Sequence, residues 1–290
     1  MTHTVCTYPI VGCLLKADDI IGEGRVWIPQ NQTQKVFVDD YYTSTKDEIE
    51  GVPEIESLAS WEADEINKFL ADHGFSIKLD PFTPETFGVA AVLNLLMEWL
   101  QEAVPAEIRS GGKTFDGMRM EEGVKFFTSP NHPDPIAQIA TKGGDSVFVT
   151  IQQSAPTGFE LVSLVEQIES GMERCWDFGD LLVPMVDIDE KVDISWLIEL
   201  RTVASWGQPA RVTQAKQQTM FKMNQRGALL KSAAAAAVSL EMCAMPKPDL
   251  VIDRPFVAWI RREGLLRPLV VAHVTEEAWK DPGDLVGHSE

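Results

Sequence analysis

The chain is poor in basic residues. Only 25 Lys and Arg stand against 44 Asp and Glu in 290 residues, leaving a formal charge of −19. No basic stripe exists to neutralise phosphates, so nucleic acid is excluded as a partner. An anionic membrane surface is disfavoured for the same reason. The acid excess serves solubility or steers a basic partner. Cysteine is scarce too: Cys6, Cys13, Cys175 and Cys243 form no CxxC pair. Free thiols in a reducing compartment are expected rather than a disulfide scaffold. Long apolar runs are missing. The longest, Val89 to Leu100, is broken by Asn94 and Glu98 and is too short to span a bilayer. No charged-then-apolar leader opens the chain, since Lys16 follows the apolar residues around Ile10 to Leu15; a cytoplasmic location is expected.

The usual signatures of chemistry are absent as well. There is no GxxxxGK[ST], no GxGxxG after a strand and no GxSxG elbow. The five histidines (His3, His73, His132, His273, His288) show no HExxH or paired spacing, so neither a metal site nor a cofactor is expected. Asp187, Asp189, Glu190 and Asp193 cluster, but without the glycine and terminal glutamate of a calcium loop; they read as a solvated acidic face. Nothing here predicts an enzyme.

What is present describes a folded domain. Hydrophobic residues make up 44% and charged residues 24% of the chain, the balance of a globular protein. Residues 25–28 and 36–38 read as two strands around a polar turn. Residues 59–73 read as a helix capped by Ser60, with Ile66, Phe69 and Leu70 on one face and Gly74 at its exit. Residues 88–100 fit a buried helix or a buried strand equally well. Ser146 to Gln152 alternates as a strand, and Gly158 to Met172 reads as a helix. Leu181 to Ile188 carries Pro184, which suggests an edge strand or a strand start. Gln218 to Met223, Val251-Ile252, Phe256 to Ile260 and Leu269 to Val274 make a C-terminal series of strands. The eight tryptophans read as core anchors, with Trp279 nearer the surface. Strands and helices come in blocks, which predicts an α+β fold with antiparallel or mixed sheets.

One segment stands apart. Gly227 to Met245 contains no interior glycine or proline and is an excellent helix by propensity, stopped before Pro246. Yet Ala233, Ala234, Ala235, Ala236 and Ala237 offer little apolar area to hold a helix on a core. Side chains that small also fit between two existing strands. Helix, loop and inserted strand all remain open.

The flanks of that segment carry a resemblance. A strand runs into Asn224-Gln-Arg-Gly227, followed by the alanine run, the proline-containing exit at Pro246-Lys-Pro248, and Asp253-Arg254-Pro255-Phe256 leading to Ile260 and a closing strand. This order resembles the C-terminal part of the serpin family. Upstream, Leu182 to Asp189, Val192 to Leu197, Glu65 to Phe69, Ala91 to Trp99 and Arg25 to Phe37 are similar to further family segments, the last as an early strand of the central sheet. The resemblance spans about Arg25 to Thr275.

The resemblance implies one serpin-like domain over 1–290: a large central mixed β-sheet, smaller sheets and surrounding helices, with most N-terminal helices missing. Residues 1–24 would be a divergent N-terminal segment, 228–249 the reactive-loop-like segment and 276–290 a C-terminal tail. It implies a hinge at Asn224, Gly227, Ala228 and Ser232 through the alanine run, and a structural motif at Asp253, Arg254, Pro255 and Phe256. Met242, Cys243, Ala244 and Met245 would present the bait to a protease of the serine or cysteine class; the medium apolar side chains suit an elastase- or subtilisin-like enzyme. Two functions follow: a suicide-substrate inhibitor whose cleaved loop joins the sheet, or a non-inhibitory scaffold whose loop contacts a partner. Departures from the family pattern bear on that choice. Gln225 and Arg226 replace hinge acids, Gln217 replaces a histidine, and Asn94 and Trp99 are closer together than the family's pair. Counting back from Asp253 puts the scissile bond near Ala244-Met245; counting forward from Gly227 puts it near Glu241-Met242.

Overall fold

The computed structural model describes residues 1–83, 86–226 and 247–285. The chain starts with β1 (His3–Val5), α1 (Tyr8–Lys16) and α2 (Asp18–Ile21). Next come α3 (Gln32–Val36), a π-helical turn (Phe37–Tyr42), α4 (Thr43–Thr45) and a 3-10 turn (Lys46–Gly51). β2 (Ile55–Ser60), α5 (Ala63–Asp72) and β3 (Gly88–Leu93) follow. Then the chain is mostly strand: β4 (Val104–Ser110), β5 (Lys113–Met120), β6 (Val124–Ser129), β7 (His132–Ala140) and β8 (Ser146–Ile151). After α6 (Phe159–Glu169) come β9 (Glu173–Cys175), β10 (Leu181–Pro184), β11 (Val186–Val192), β12 (Arg201–Val203), β13 (Pro209–Arg211) and β14 (Gln217–Met223). The C-terminal strands are β15 (Leu250–Val251), β16 (Phe256–Arg261) and β17 (Val270–Val274). Among the described residues, no helix is long and apolar enough to cross a membrane.

The largest sheet has seven strands in the order β1-β17-β16-β8-β7-β6-β9, all antiparallel. Its centre is apolar on both faces because β16, β17 and β8 carry consecutive Val, Ile, Ala, Phe and Trp residues and nearly every position is buried. One face packs with Ile108, Met118 and Val183 of a second, four-stranded sheet, β15-β10-β5-β4. The other carries Val257, Trp259 and Val271 against α1, α6 and the Phe37–Tyr42 turn. Phe148 stacks on Trp259, 5.2 Å between centroids, and Trp259 Nε1 donates to Glu169 Oε1 at 2.8 Å. Among the described residues, three further pairs are separate: β2-β3, β11-β14 and β12-β13. The parallel pairing in the described residues is β10 with β15.

Several expectations need correction. Residues 36–38 are helical, within α3 and the turn after it, not a strand. Asn31 starts that helix by accepting the Gln34 N–H at 2.8 Å, and the buried aromatics Phe37, Tyr41 and Tyr42 then share one side of it. Residues 25–28 are extended, but they touch β12 through one bridge, Ile28 with Arg201, and form no strand of the sheet that holds β3. The segment from Arg25 to Phe37 is therefore not an early strand of a central sheet; the first strand after it is β2, which pairs with β3 and whose alternation in sequence is weak.

The helix expected from 59 to 73 is α5, but Ser60 ends β2 instead of capping it. Its Oγ accepts the Glu62 N–H at 3.0 Å, two residues earlier in the turn. Of residues 88–100, only Gly88–Leu93 form a strand, β3, whose positions alternate between buried and partly open; beyond it Trp99 makes one isolated bridge to Thr141. Pro184 is neither at a sheet edge nor at a strand start. It ends β10, an inner strand, and the chain then enters β11 in another layer. Of the tryptophans, Trp27, Trp99, Trp259 and Trp279 are buried, whereas Trp61, Trp176 and Trp206 are 51%, 66% and 55% exposed. Trp279, expected near the surface, is only 3% exposed because it packs edge-on against Phe115 and beside Phe256.

Candidate functional site

β3 and β14 are each hydrogen-bonded on one side, to β2 and to β11. Between them lies a cleft of about 1170 Å³ lined by every residue of both strands. Among the described residues no backbone hydrogen bond joins the two. Two strand edges thus face one another across an open interval, a geometry that presents N–H and C=O groups to an incoming strand.

Local sequence explains why the cleft stays open on its flanks. α1 lies beneath β2 and β3, and Gly12 allows the approach: a Cβ there would stand 3.2 Å from Ile55 Cγ2 and 3.5 Å from the Ala91 Cβ. Above, α5 covers the other face with Ile66 and Leu70 on Ala90 and Val92. Gly88 is needed under Phe82, whose ring would lie 2.3 Å from an added Cβ. The connection after α5 then crosses to β14. Gln218 Oε1 accepts the N–H groups of Ser76 at 2.8 Å and Ile77 at 3.3 Å, and Gln214 exchanges hydrogen bonds with the Asp80 backbone at 2.8 and 3.1 Å.

One end of the cleft is tied shut. Trp99 Nε1 donates to the Asn224 carbonyl at 2.8 Å, and the Ala103 N–H to the Gln225 carbonyl at 2.8 Å. This is the point where β14 leads into Gly227. The C-terminal segment adds a strap: Asn224 Nδ2 donates to the Gly283 carbonyl at 2.8 Å, and Arg226 Nη1 pairs with Asp284 at 3.1 Å. Asn224 itself is buried and its Oδ1 accepts the Arg226 N–H at 3.0 Å.

The far side of the 227–246 segment is fixed differently. Arg119, on β5, bridges Asp180 and Asp249, at 2.6 Å to the latter, beside the short pairing of β15 with β10. Asp253 and Arg254 form a local exposed pair, 3.2 Å apart, and the Pro255 carbonyl accepts the Gln152 N–H at 2.8 Å. Phe256 is fully buried and opens β16. Arg262, just past β16, holds both Glu54 Oε1 at 2.7 Å and Asp145 Oδ1 at 2.8 Å, joining the start of β2 to the seven-stranded sheet. That guanidinium keeps the Glu54 carboxyl below its usual range.

Cys6 and Cys13 line the cleft floor as free thiols, and burial pushes both up to about 12, so they are inert neutral groups. The acidic cluster is dispersed along and beyond β11: Asp187 faces Lys222, Asp189 accepts from Gln218, Glu190 from Thr4, and Asp193 Oδ1 accepts the Ser195 N–H. Among the described residues no group of three or more metal-ligating side chains occurs.

Of the hinge, loop and motif residues expected from the sequence, the structure brings Asn224 to the cleft and places Asp253, Arg254, Pro255 and Phe256 at the start of β16. Gly227, Ala228, Ser232, Ala233, Ala234, Ala235, Ala236 and Ala237, with Met242, Cys243, Ala244 and Met245, lie outside the described residues. Sequence reading missed Arg119, Gln214, Gln218 and the Gly283–Asp284 strap. No motif marks them, because each acts through a partner distant in the chain.

No family model and no curated protein matches the chain by sequence. Solved structures do match by fold. The chain is similar to a serpin from Schistosoma mansoni at 11% identity and a TM-score of 0.59, over 94% of this chain and 95% of that one. It is similar to Serpin48, described as a highly specific serpin of the insect Tenebrio molitor, at 14% identity and TM-score 0.54, over 94% and 91%. It is also similar to uncleaved ovalbumin, at 12% identity and TM-score 0.56, over 94% and 92%. The chain has a serpin-like fold, with a large multi-stranded sheet, smaller sheets and, among the described residues, mostly short helices.

Proposed function

We propose that this protein is a protease inhibitor that acts as a suicide substrate, with residues 228–249 as the reactive loop, Met242, Cys243, Ala244 and Met245 as the bait, and the β3–β14 cleft as the place that receives the loop's upstream part. The supporting observation is the cleft itself: two strand edges facing each other without backbone bonds, at the end of the strand that leads directly into Gly227. A target protease of the serine class attacks a carbonyl near Ala244-Met245 or Glu241-Met242 through its hydroxyl. The peptide bond breaks, the new amine leaves, and an ester joins the protease to the upstream fragment. Ala228, Leu230, Ser232, Ala234 and Ala236 share one parity and would enter the sheet as one small or apolar face. The protein is then consumed as a substrate and catalyses nothing. Incubation with a panel of elastase- and subtilisin-like proteases tests this. A covalent complex that survives denaturant is expected; clean cleavage with full release of active protease overturns it.

A second reading rests on the straps. Gln214, Gln218, Gly283 and Asp284 all hold the layer as it stands, and Gln225 and Arg226 occupy the hinge. A scaffold whose loop contacts a partner protein needs no strand movement. Thermal unfolding after cleavage within 228–245 separates the two: an unchanged midpoint supports the scaffold.

A further inference from the structure

The cleft is larger than one strand's interval. Its lining reaches beyond the two strands to Ile10 and Leu14 of α1, to Leu197 and Val212, and to Phe87 and the half-exposed Trp61. Its volume of about 1170 Å³ exceeds the roughly 300–1,000 Å³ of ordinary small-molecule pockets. The charges on the lining run against the whole molecule. The chain carries −19, yet the charged residues lining the cleft are Lys78, Arg211, Lys216, Lys222 and Asp284. Lys216 Nζ donates to the Lys78 carbonyl at 2.6 Å, which sets two ammonium-bearing residues at one point of the rim. Arg211 is bound to Glu199 at 2.9 Å, Lys216 stands 3.6 Å from Asp80 and Lys222 3.6 Å from Asp187; Lys78 has no carboxylate partner among the described residues.

An apolar chamber with a cationic rim on an acidic protein fits an amphipathic anion. We propose that the chamber binds a free long-chain fatty acid, the acyl chain lying between α1 and the Leu197–Val212 side, the carboxylate at Lys78 and Lys216. Acyl burial supplies the affinity, since the chain leaves water for a site already shaped. The ammonium groups select an anion over the neutral alcohol of the same length. This inference goes beyond the inhibitor reading and uses no property of residues 227–246, so either can fail without the other.

The test is titration of the intact chain with sodium palmitate below its micelle threshold, followed by tryptophan fluorescence and calorimetry, with hexadecanol as the neutral control. Saturable one-to-one palmitate binding is expected, with hexadecanol weaker. Lys78→Glu combined with Lys216→Glu should weaken palmitate by about tenfold or more and leave hexadecanol unchanged. Leu14→Trp should weaken both; Val212→Trp, on the opposite wall, repeats the test should the first variant fail to fold by circular dichroism. Absence of saturation overturns the proposal. So does equal binding of acid and alcohol, binding indifferent to a folded chamber-filling variant, or binding only of phosphatidylserine vesicles.

Discussion

Two β-regions of this molecule use similar residues and reach opposite states. β8, β16 and β17 sit inside a seven-stranded sheet, bonded to neighbours on both edges and buried on nearly every residue. Among the described residues, β3 and β14 each have one bonded edge, and they alternate between covered and partly open positions. The difference teaches what an open interval requires. A strand buried on both faces must also satisfy both edges, because no water reaches its backbone. A strand covered by α1 and α5 but bordering a cleft can leave one edge to solvent, ready for another strand.

The sharpest way to break this comparison is to cut the chain within 228–245. If the open layer takes up the freed segment, the melting midpoint rises by roughly 10–20 °C, the response to about 5 kcal/mol in a domain of this size; differential scanning calorimetry of nicked and intact protein reads it. In the closed layer, Trp259→Ala should lower stability by about 3–5 kcal/mol in urea titrations, since it empties the stack with Phe148 and removes one of the donors to Glu169, which keeps Arg261. Arg262→Met tests the link between the layers. It leaves Asp145 buried without its cation and should cost about 3 kcal/mol, while exposing β2 to faster hydrogen exchange. Asn224→Ala removes the strap to Gly283 and should cost about 1–2 kcal/mol, but it should also speed loop cleavage; a slower cleavage would argue that the strap preserves the competent state.

The smallest effect is a pH dependence confined to the closed layer. Burial holds His132 and His273 neutral, below the ordinary value of 6.5. His132 Nε2 faces Thr150 Oγ1 at 2.9 Å with Asp134 nearby, and His273 meets the Gln152 carbonyl at 3.0 Å with the His3 ring 5.2 Å away. Below 6.5 the unfolded chain binds protons that the folded chain refuses. Stability is therefore complete above that value and falls as acid is added. His273→Gln should flatten the slope in pH-series urea titrations.

Much of the closed layer was legible in sequence. Ser146 to Gln152, Phe256 to Ile260 and Leu269 to Val274 are runs of β-branched and aromatic residues, and they form β8, β16 and β17 with ends shifted by a residue. The helices α5 and α6 announced themselves by apolar spacing. The open layer was half legible. β14 was foreseen, β3 was ambiguous, and β2 was missed because Ile55–Ser60 mixes Glu, Ser and Ala with its apolar residues. The strand expected at 36–38 failed because buried aromatics at helical spacing outweigh a short β-branched run, while 25–28 makes only the single bridge from Ile28 to Arg201.

Sequence alone determined which segments are strands of the sealed sheet, where the chain turns acidic, and that an alanine-rich stretch follows Asn224. These are local properties, written in side-chain volume and charge. Tertiary structure decided that β3 and β14 stop short of each other, that Gln214 and Gln218 strap one side, and that Gly283 and Asp284 close over the hinge. Those outcomes depend on groups brought together from distant parts of the chain, and no local periodicity encodes a distance between two strands that never touch.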